Sequence, residues 1–221
     1  METRLKIVKI PKSELPQYEA IQQGEYDFMQ QFRNDRIPPI IYLSGSRGQG
    51  KTALMCKIAE NYLRMQKEML DVVVYVMGFS RESQLPVYFN HIDNLHNLSK
   101  KGILLIDEAG LTKRPDFNDL VSISGHKSIS IVFGGQTLKQ ITPTEMSQVT
   151  GFAYKKPSYA ELNKGMIRRE FKDVMQLFND NLDVFNDKGM FYYEDSTFKG
   201  WLKVGLPSFW NNDISQNQKK W

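Results

Sequence analysis

A chain of 221 residues, 41% of them hydrophobic, suffices for one α/β domain with appendages and is too short for two full domains. Lysine and arginine number 29 against 25 acidic residues, and the resulting +4 suits a polyanionic partner without requiring one. Cys56 is the sole cysteine, so no intrachain disulfide can form; the longest apolar run, Val72 to Met77, is far below the roughly 18 residues of a membrane span, and charged residues close behind Met1 argue against a signal peptide, so a cytosolic setting is expected.

Residues 4–10, RLKIVKI, alternate apolar with basic and predict an edge strand stopped by Pro11. Residues 13–36 then predict a polar helix with Phe28, Met29 and Phe32 on one side, making 1–36 an N-terminal extension of strand and helix. Pro38 and Pro39 end it. A regular alternation follows, with strands at 40–44, 72–77, 103–107 and 129–133 and helices at about 50–67, 88–99 and 116–124. Short apolar strands alternating with helices predict an α/β fold around a mostly parallel central sheet flanked by helices. Further on, residues 149–156, VTGFAYKK, fit another strand, 169–181 a helix, and 189–207 a C-terminal β-hairpin of two aromatic-rich strands. The expected division is a core at 37–156, an elaboration at 157–210 and a polar tail at 211–221.

Between the first core strand and its helix lies GSRGQGKT, which satisfies the P-loop pattern G-x-x-x-x-G-K-[ST] in the required context. Glycines let the backbone curl so that successive N–H groups point inward, and with the helix N-terminus they form a positive nest for phosphates. The expected nucleotide contacts are therefore Gly45, Ser46, Arg47, Gly48, Gln49, Gly50, Lys51, Thr52 and Ala53. Within this set Lys51 reaches the β- and γ-phosphates of ATP and the Thr52 hydroxyl ligates Mg²⁺.

A second motif, GILLIDEAG at 102–110, is a buried strand ending in two acids. Asp107 is expected to hold Mg²⁺ through its water shell, and Glu108 to polarise the attacking water. Asp107 to Gly110 also fits the D-x-x-G of GTPases, but the only candidate for a guanine-reading N-K-x-D, NKGM at 163–166, lacks its aspartate, so an ATPase is preferred. Gln136 follows the strand of SISIVFGG, and a residue at that carboxyl end can touch the γ-phosphate.

The series GSRGQGKT, ILLIDEA and IVFGGQ resembles the FtsK–HerA superfamily of nucleic-acid-pumping ATPases. It is similar in particular to the compact genome-packaging ATPases of tailless icosahedral viruses with an internal membrane, most nearly those of archaeal turreted icosahedral viruses. The resemblance spans residues 37–156. It implies a ring, expected to be a hexamer, that threads double-stranded DNA and hydrolyses ATP between subunits, with capsid or membrane-vertex proteins as partners and the host cytoplasm at the assembling virion as its place. Relatives tend to offer an arginine to the neighbour's ATP shortly before the fourth core strand, whereas this chain has SGHKSIS there. Arg81 and Arg114 are the first candidates for that trans-acting cation, ahead of Lys127, because a guanidinium presents a planar fork to phosphate oxygens. The alternatives are an assembly ATPase resembling the zonula occludens toxin of filamentous phages, and a small-molecule P-loop kinase. The first usually carries a membrane span, and the second needs an arginine-rich lid; neither feature is seen.

Several residues have structural explanations. His91 and His96 fall five apart on the expected 88–99 helix, which does not suit a helical metal pair, so no metal beyond Mg²⁺ is expected. Tyr192, Tyr193, Phe198 and Trp201 read as a buried layer covering the sheet, with stacking on bases as the rival. Lys155, Lys156, Lys164, Arg168 and Arg169 are the densest basic region, which fits a phosphate-contacting surface or a solvated face equally.

Overall fold

A strand covered on both faces reads as a near-continuous apolar run, and four runs in this chain have that character. In the computed structural model, which describes residues 20–33, 37–66, 72–81, 84–99, 101–107, 115–158, 161–162 and 171–216, those runs are wholly buried strands. In chain order the elements begin with a small antiparallel pair, β1 (Gln22–Gln23) and β2 (Tyr26–Asp27), followed by a 3-10 turn over Phe28–Arg33. Then come β3 (Ile40–Ser44), α1 (Lys51–Met65), β4 (Val73–Met77), β5 (Phe89–His91), β6 (Gly102–Asp107), α2 (Phe117–Lys127), β7 (Ile129–Gly135), α3 (Pro143–Met146) and β8 (Gly151–Tyr154). Next are α4 (Lys172–Asp180), β9 (Met190–Asp195) and β10 (Lys199–Lys203), and a last helical turn, α5 (Asp213–Gln216), follows.

One eight-stranded sheet runs in the order β10-β9-β8-β3-β7-β6-β4-β5. The strands from β8 to β5 are parallel, and the β9–β10 hairpin is added antiparallel along β8. This is the expected α/β architecture. Alternate residues of each strand feed two cores, as the two-residue period requires. Ile41 and Leu43 face α1 together with Leu54, Ile58 and Phe32, while Ile40 and Tyr42 face the opposite layer of Phe117, Leu120, Val174 and Phe178 from α2 and α4.

Two expected helices are corrected. Residues 20–33 of the expected 13–36 helix form the β1–β2 hairpin and the 3-10 turn instead. Gly24 at φ 58 makes the reversal, and the Asp27 side chain accepts from the Met29 N–H at 3.0 Å to start the turn. Phe28, Met29 and Phe32 still share a buried side, with Phe28 edge-on to Tyr193 at 4.9 Å between ring centroids. The expected 4–10 strand lies outside the described residues. The second correction concerns 88–99, which holds β5 and a 3-10 turn at Leu95–Asn97. Phe89 and Ile92, three apart, imitate a helical stripe, yet Phe89 is buried on the α1 side and Ile92 on the other. That split is what an extended chain produces at odd spacing. His91 therefore sits in a strand and His96 in the turn.

Of the C-terminal aromatics, Tyr192 and Tyr193 are buried and Phe198 and Trp201 half-buried, all of them on the hairpin that forms part of the sheet itself. Tyr192 and Trp201 pack with Phe178 and Phe185 on one face, and Tyr193 with Phe28 on the other. The hairpin thus continues the same sheet across the expected boundary after residue 156. Among the described residues no helix is long and apolar enough to cross a membrane.

Candidate active site

Parallel strands bring all their carboxyl ends to one edge of a sheet, and ligands of open α/β folds bind there. Here β3 delivers Gly45, β6 ends in Asp107, β7 leads to Gln136 and β8 leads to Lys155, with Ser44 in register with both Gly135 and Tyr154. The loop after β3 stays against this edge because the Ser46 N–H and hydroxyl both donate to the Lys156 carbonyl, at 2.9 and 3.0 Å, and the Lys155 N–H donates to Ser44 at 2.8 Å. Only glycine fits at Gly45: a Cβ there would stand 2.6 Å from the Lys155 Cβ. Gly50, at φ 82, turns the chain directly into α1 with no side-chain cap, so the first N–H groups of the helix face the loop.

Lys51 opens α1, and its ammonium donates to the carbonyls of Gly45 at 2.5 Å and Ser46 at 3.0 Å, which holds it over the loop. The Thr52 hydroxyl donates to Asp107 Oδ2 at 2.7 Å, with both side chains buried. The sequence places these two residues 55 positions apart, and adjacent α1 and β6 join them. A hydroxyl and a carboxylate side by side beside a phosphate-sized nest fit Mg²⁺, which takes few protein ligands and completes its octahedron with water and phosphate oxygens. Among the described residues no group of three or more His, Cys, Asp or Glu is placed to hold a metal. The Gln140 side-chain oxygen accepts from the N–H groups of Gln136 and Thr137 at 2.6 and 2.9 Å, fixing the turn that presents the exposed Gln136.

A cavity of about 950 Å³ connects these groups. Arg47, Gly48, Gly50, Lys51, Thr52 and Ala53 form one side of it, and Asp107 and Gln136 the floor. Its remaining wall was not foreseen from sequence. Because β9 and β10 run antiparallel, β9 begins and β10 ends at the edge where β8 finishes, and this carries Asp187 to Gly189 and Lys203 to Leu206 into the site, followed by Trp210 and Asn212. No local motif marks these residues; the strand direction alone brings them in.

Lys155 belongs to this wall, and the reading of it as part of a basic surface is corrected. Its side chain is buried, donates to the carbonyls of Lys188 at 2.7 Å and Met190 at 3.2 Å, and lies 5.6 Å over the Phe191 ring. Burial pushes its ammonium down to about 7, against a smaller opposing pull from Asp187. Lys203 pairs with Asp187 at 2.8 Å across the mouth of the cavity, which raises the lysine and lowers the aspartate.

The chain is similar to several solved structures. It superimposes on the genome packaging NTPase B204 from Sulfolobus turreted icosahedral virus 2 in complex with AMPPCP, with a TM-score of 0.53 and 16% identity over 78% of this chain and 100% of that one. The complex of the same protein with ATP-gammaS gives 0.51 and 15%, covering 76% and 98%. The chain has the fold of a P-loop NTPase. EssC (ATPases 2 and 3) from Geobacillus thermodenitrificans is similar as well, with a TM-score of 0.52 and 13% identity over 87% of this chain but only 43% of that chain. No protein-family model matches the sequence, and no curated protein matches it.

The other expected residues fall differently. Glu108 and Arg114 lie outside the described residues, as do Lys164, Arg168 and Arg169. Arg81 is exposed just past the carboxyl end of β4 and pairs with Asp93 at 2.6 Å, two strands away from the P-loop strand's neighbour β7. Lys127 ends α2 at the amino edge of the sheet, where it donates to the Leu98 carbonyl. Within one subunit it is therefore at the opposite edge from the P-loop.

Proposed function

We propose that this chain is an ATP-hydrolysing motor that drives double-stranded DNA into a viral capsid, working as a ring of identical subunits at the assembling virion in the host cytoplasm. The observation that carries the ATPase reading is the meeting of Lys51, Thr52 and Asp107 at one end of a glycine nest. In this reading the loop N–H groups and Lys51 hold the β- and γ-phosphates, and Gln136, fixed by Gln140, touches the γ-phosphate. Mg²⁺ bound beside Thr52 and Asp107 would neutralise charge on those phosphates. Glu108, next in the chain, would accept the proton of the attacking water.

The DNA-packaging part rests on extent. The likeness to the packaging NTPase spans 98–100% of that protein and 76–78% of this chain, whereas only 43% of EssC is covered. Such a motor needs a ring, and capsid or membrane-vertex proteins are its expected docking partners. The test is ATP turnover by the purified chain alone, with linear double-stranded DNA, and with a nucleoside acceptor. Turnover should rise severalfold with DNA. Turnover indifferent to DNA but stimulated by the nucleoside would overturn the motor in favour of a kinase.

A further inference from the structure

The cavity has two chemically unlike ends. Around the P-loop it is cationic, with Arg47, Lys51 and Lys155; the stretch after β10 adds the apolar Val204, Leu206 and Trp210, with Lys203 and Asn212 beside them. Leu206 is 63% exposed there, although most large apolar side chains of the chain are buried. Inorganic phosphates would cover only the cationic end.

The segment carrying the apolar wall is fastened to the P-loop helix. Glu60, on α1 and 1% exposed, accepts from the Ser208 hydroxyl at 2.6 Å and the Ser208 N–H at 3.0 Å through Oε1. Its other oxygen takes the Lys57 ammonium at 2.9 Å. A buried carboxylate is retained only when its oxygens are satisfied, so these bonds fix where the strap from Val204 to Trp210 lies. Beyond Ser208, Phe209 packs edge-on to Phe89 at 5.4 Å and the Trp210 N–H donates to the Pro207 carbonyl at 3.0 Å. The strap thus reaches the cavity from the same helix whose first turn holds the phosphates.

We infer that this strap is the nucleobase subsite: Trp210, held by the Glu60–Ser208 latch, stacks on a purine whose triphosphate lies in the P-loop. The inference rests on the nucleotide reading of the P-loop. Stacking recognises ring area and not hydrogen-bonding edges, so the site favours purine over pyrimidine nucleotides and discriminates little between adenine and guanine. Glu60 and Ser208 are positioning residues, since they touch the strap and not the ligand.

The test is equilibrium binding of ATP, CTP and inorganic tripolyphosphate to the full chain. Wild type should bind ATP a fewfold more tightly than CTP, and Trp210→Ala should lose roughly tenfold for ATP, the size of one aromatic stacking contact, with tripolyphosphate unchanged. Trp210→Phe should keep most of the ATP affinity. Ser208→Ala should weaken ATP alone by severalfold, and Ser208→Thr, which keeps a hydroxyl, should restore it. If Trp210→Ala binds ATP as wild type does, or if Trp210→Ala and Trp210→Phe lose ATP and tripolyphosphate alike, the base subsite is overturned while the P-loop stands. If wild type binds neither ATP nor tripolyphosphate, the P-loop reading fails and this inference falls with it.

Discussion

Replacing Lys155 by methionine should remove a pH dependence of stability that the wild-type chain carries. In the folded chain this ammonium is buried against the Lys188 and Met190 carbonyls and the Phe191 ring, and burial brings it from 10.5 down to about 7. Unfolded, it titrates as an ordinary lysine. Between these two values the unfolded chain therefore holds a proton that the folded chain does not, and stability from this group rises with pH at about 1.4 kcal/mol per pH unit. Above pH 10.5 the contribution is fully present; as pH falls toward 7 it is lost, and below 7 both states are protonated and it is flat. From pH 7 to pH 9, allowing for half-protonation at pH 7, wild type should gain roughly 2 kcal/mol over Lys155→Met. In a chain of this size that is roughly 4–8 °C of differential melting temperature.

Urea unfolding of both proteins at pH 6, 7, 8 and 9 measures it, because the other titrating groups are common to the pair and cancel in the difference. The methionine also forfeits the bonds to the carbonyls of Lys188 and Met190, an offset that does not vary with pH. Constant spacing between the two curves from pH 7 to 9 would refute the claim that a charge is suppressed beside the P-loop.

Lys51→Ala should abolish ATP hydrolysis and sharply weaken binding, since it deletes the ammonium that sits over the loop carbonyls; wild-type turnover by the folded variant would sink the P-loop assignment. Glu108→Gln should instead bind ATP normally and be trapped with it, measured as retained nucleotide with lost turnover, because Thr52 and Asp107 are untouched. For the trans-acting cation, Arg81→Ala and Arg114→Ala should each be tested for normal binding with poor turnover, and the defective variant should recover activity when mixed with Lys51→Ala subunits. Full turnover by both, and by Lys127→Ala, would end the trans-finger reading.

The motif residues were legible because each has a short-range cause: glycines at fixed offsets, a wholly apolar strand ending in acids, a turn after another such strand. Burial on both faces made β3, β4, β6 and β7 legible for the same reason. β5 was missed because three residues are too few to show a period, and its two anchors, Phe89 and Ile92, happen to be spaced like a helix face. The far wall of the site was illegible for a different reason. The β9–β10 hairpin was foreseen, but nothing local says that it adds to β8 antiparallel, and only that direction turns Lys203 and Val204 toward the P-loop. Lys155 was misread because a lysine run looks alike whether solvated or buried; the difference lies in carbonyls more than thirty residues away.

The composition of that wall also bears on the absent arginine. Arg47, Lys51, Lys155, Lys188 and Lys203 all line one cavity within a single subunit, so much of the positive charge needed to hold a triphosphate is supplied in cis. Their contributions are unequal: Lys203 is shared with Asp187, and Lys155 is only partly charged near neutrality. Ground-state binding draws on this whole group, whereas catalysis requires charge placed where the γ-phosphate develops it in the transition state. In the proposed ring, a cation from a neighbouring subunit would then be free to act on turnover alone. Removing it should lower kcat with affinity unchanged, and this separation of effects follows from the crowded cis wall irrespective of which residue supplies the finger.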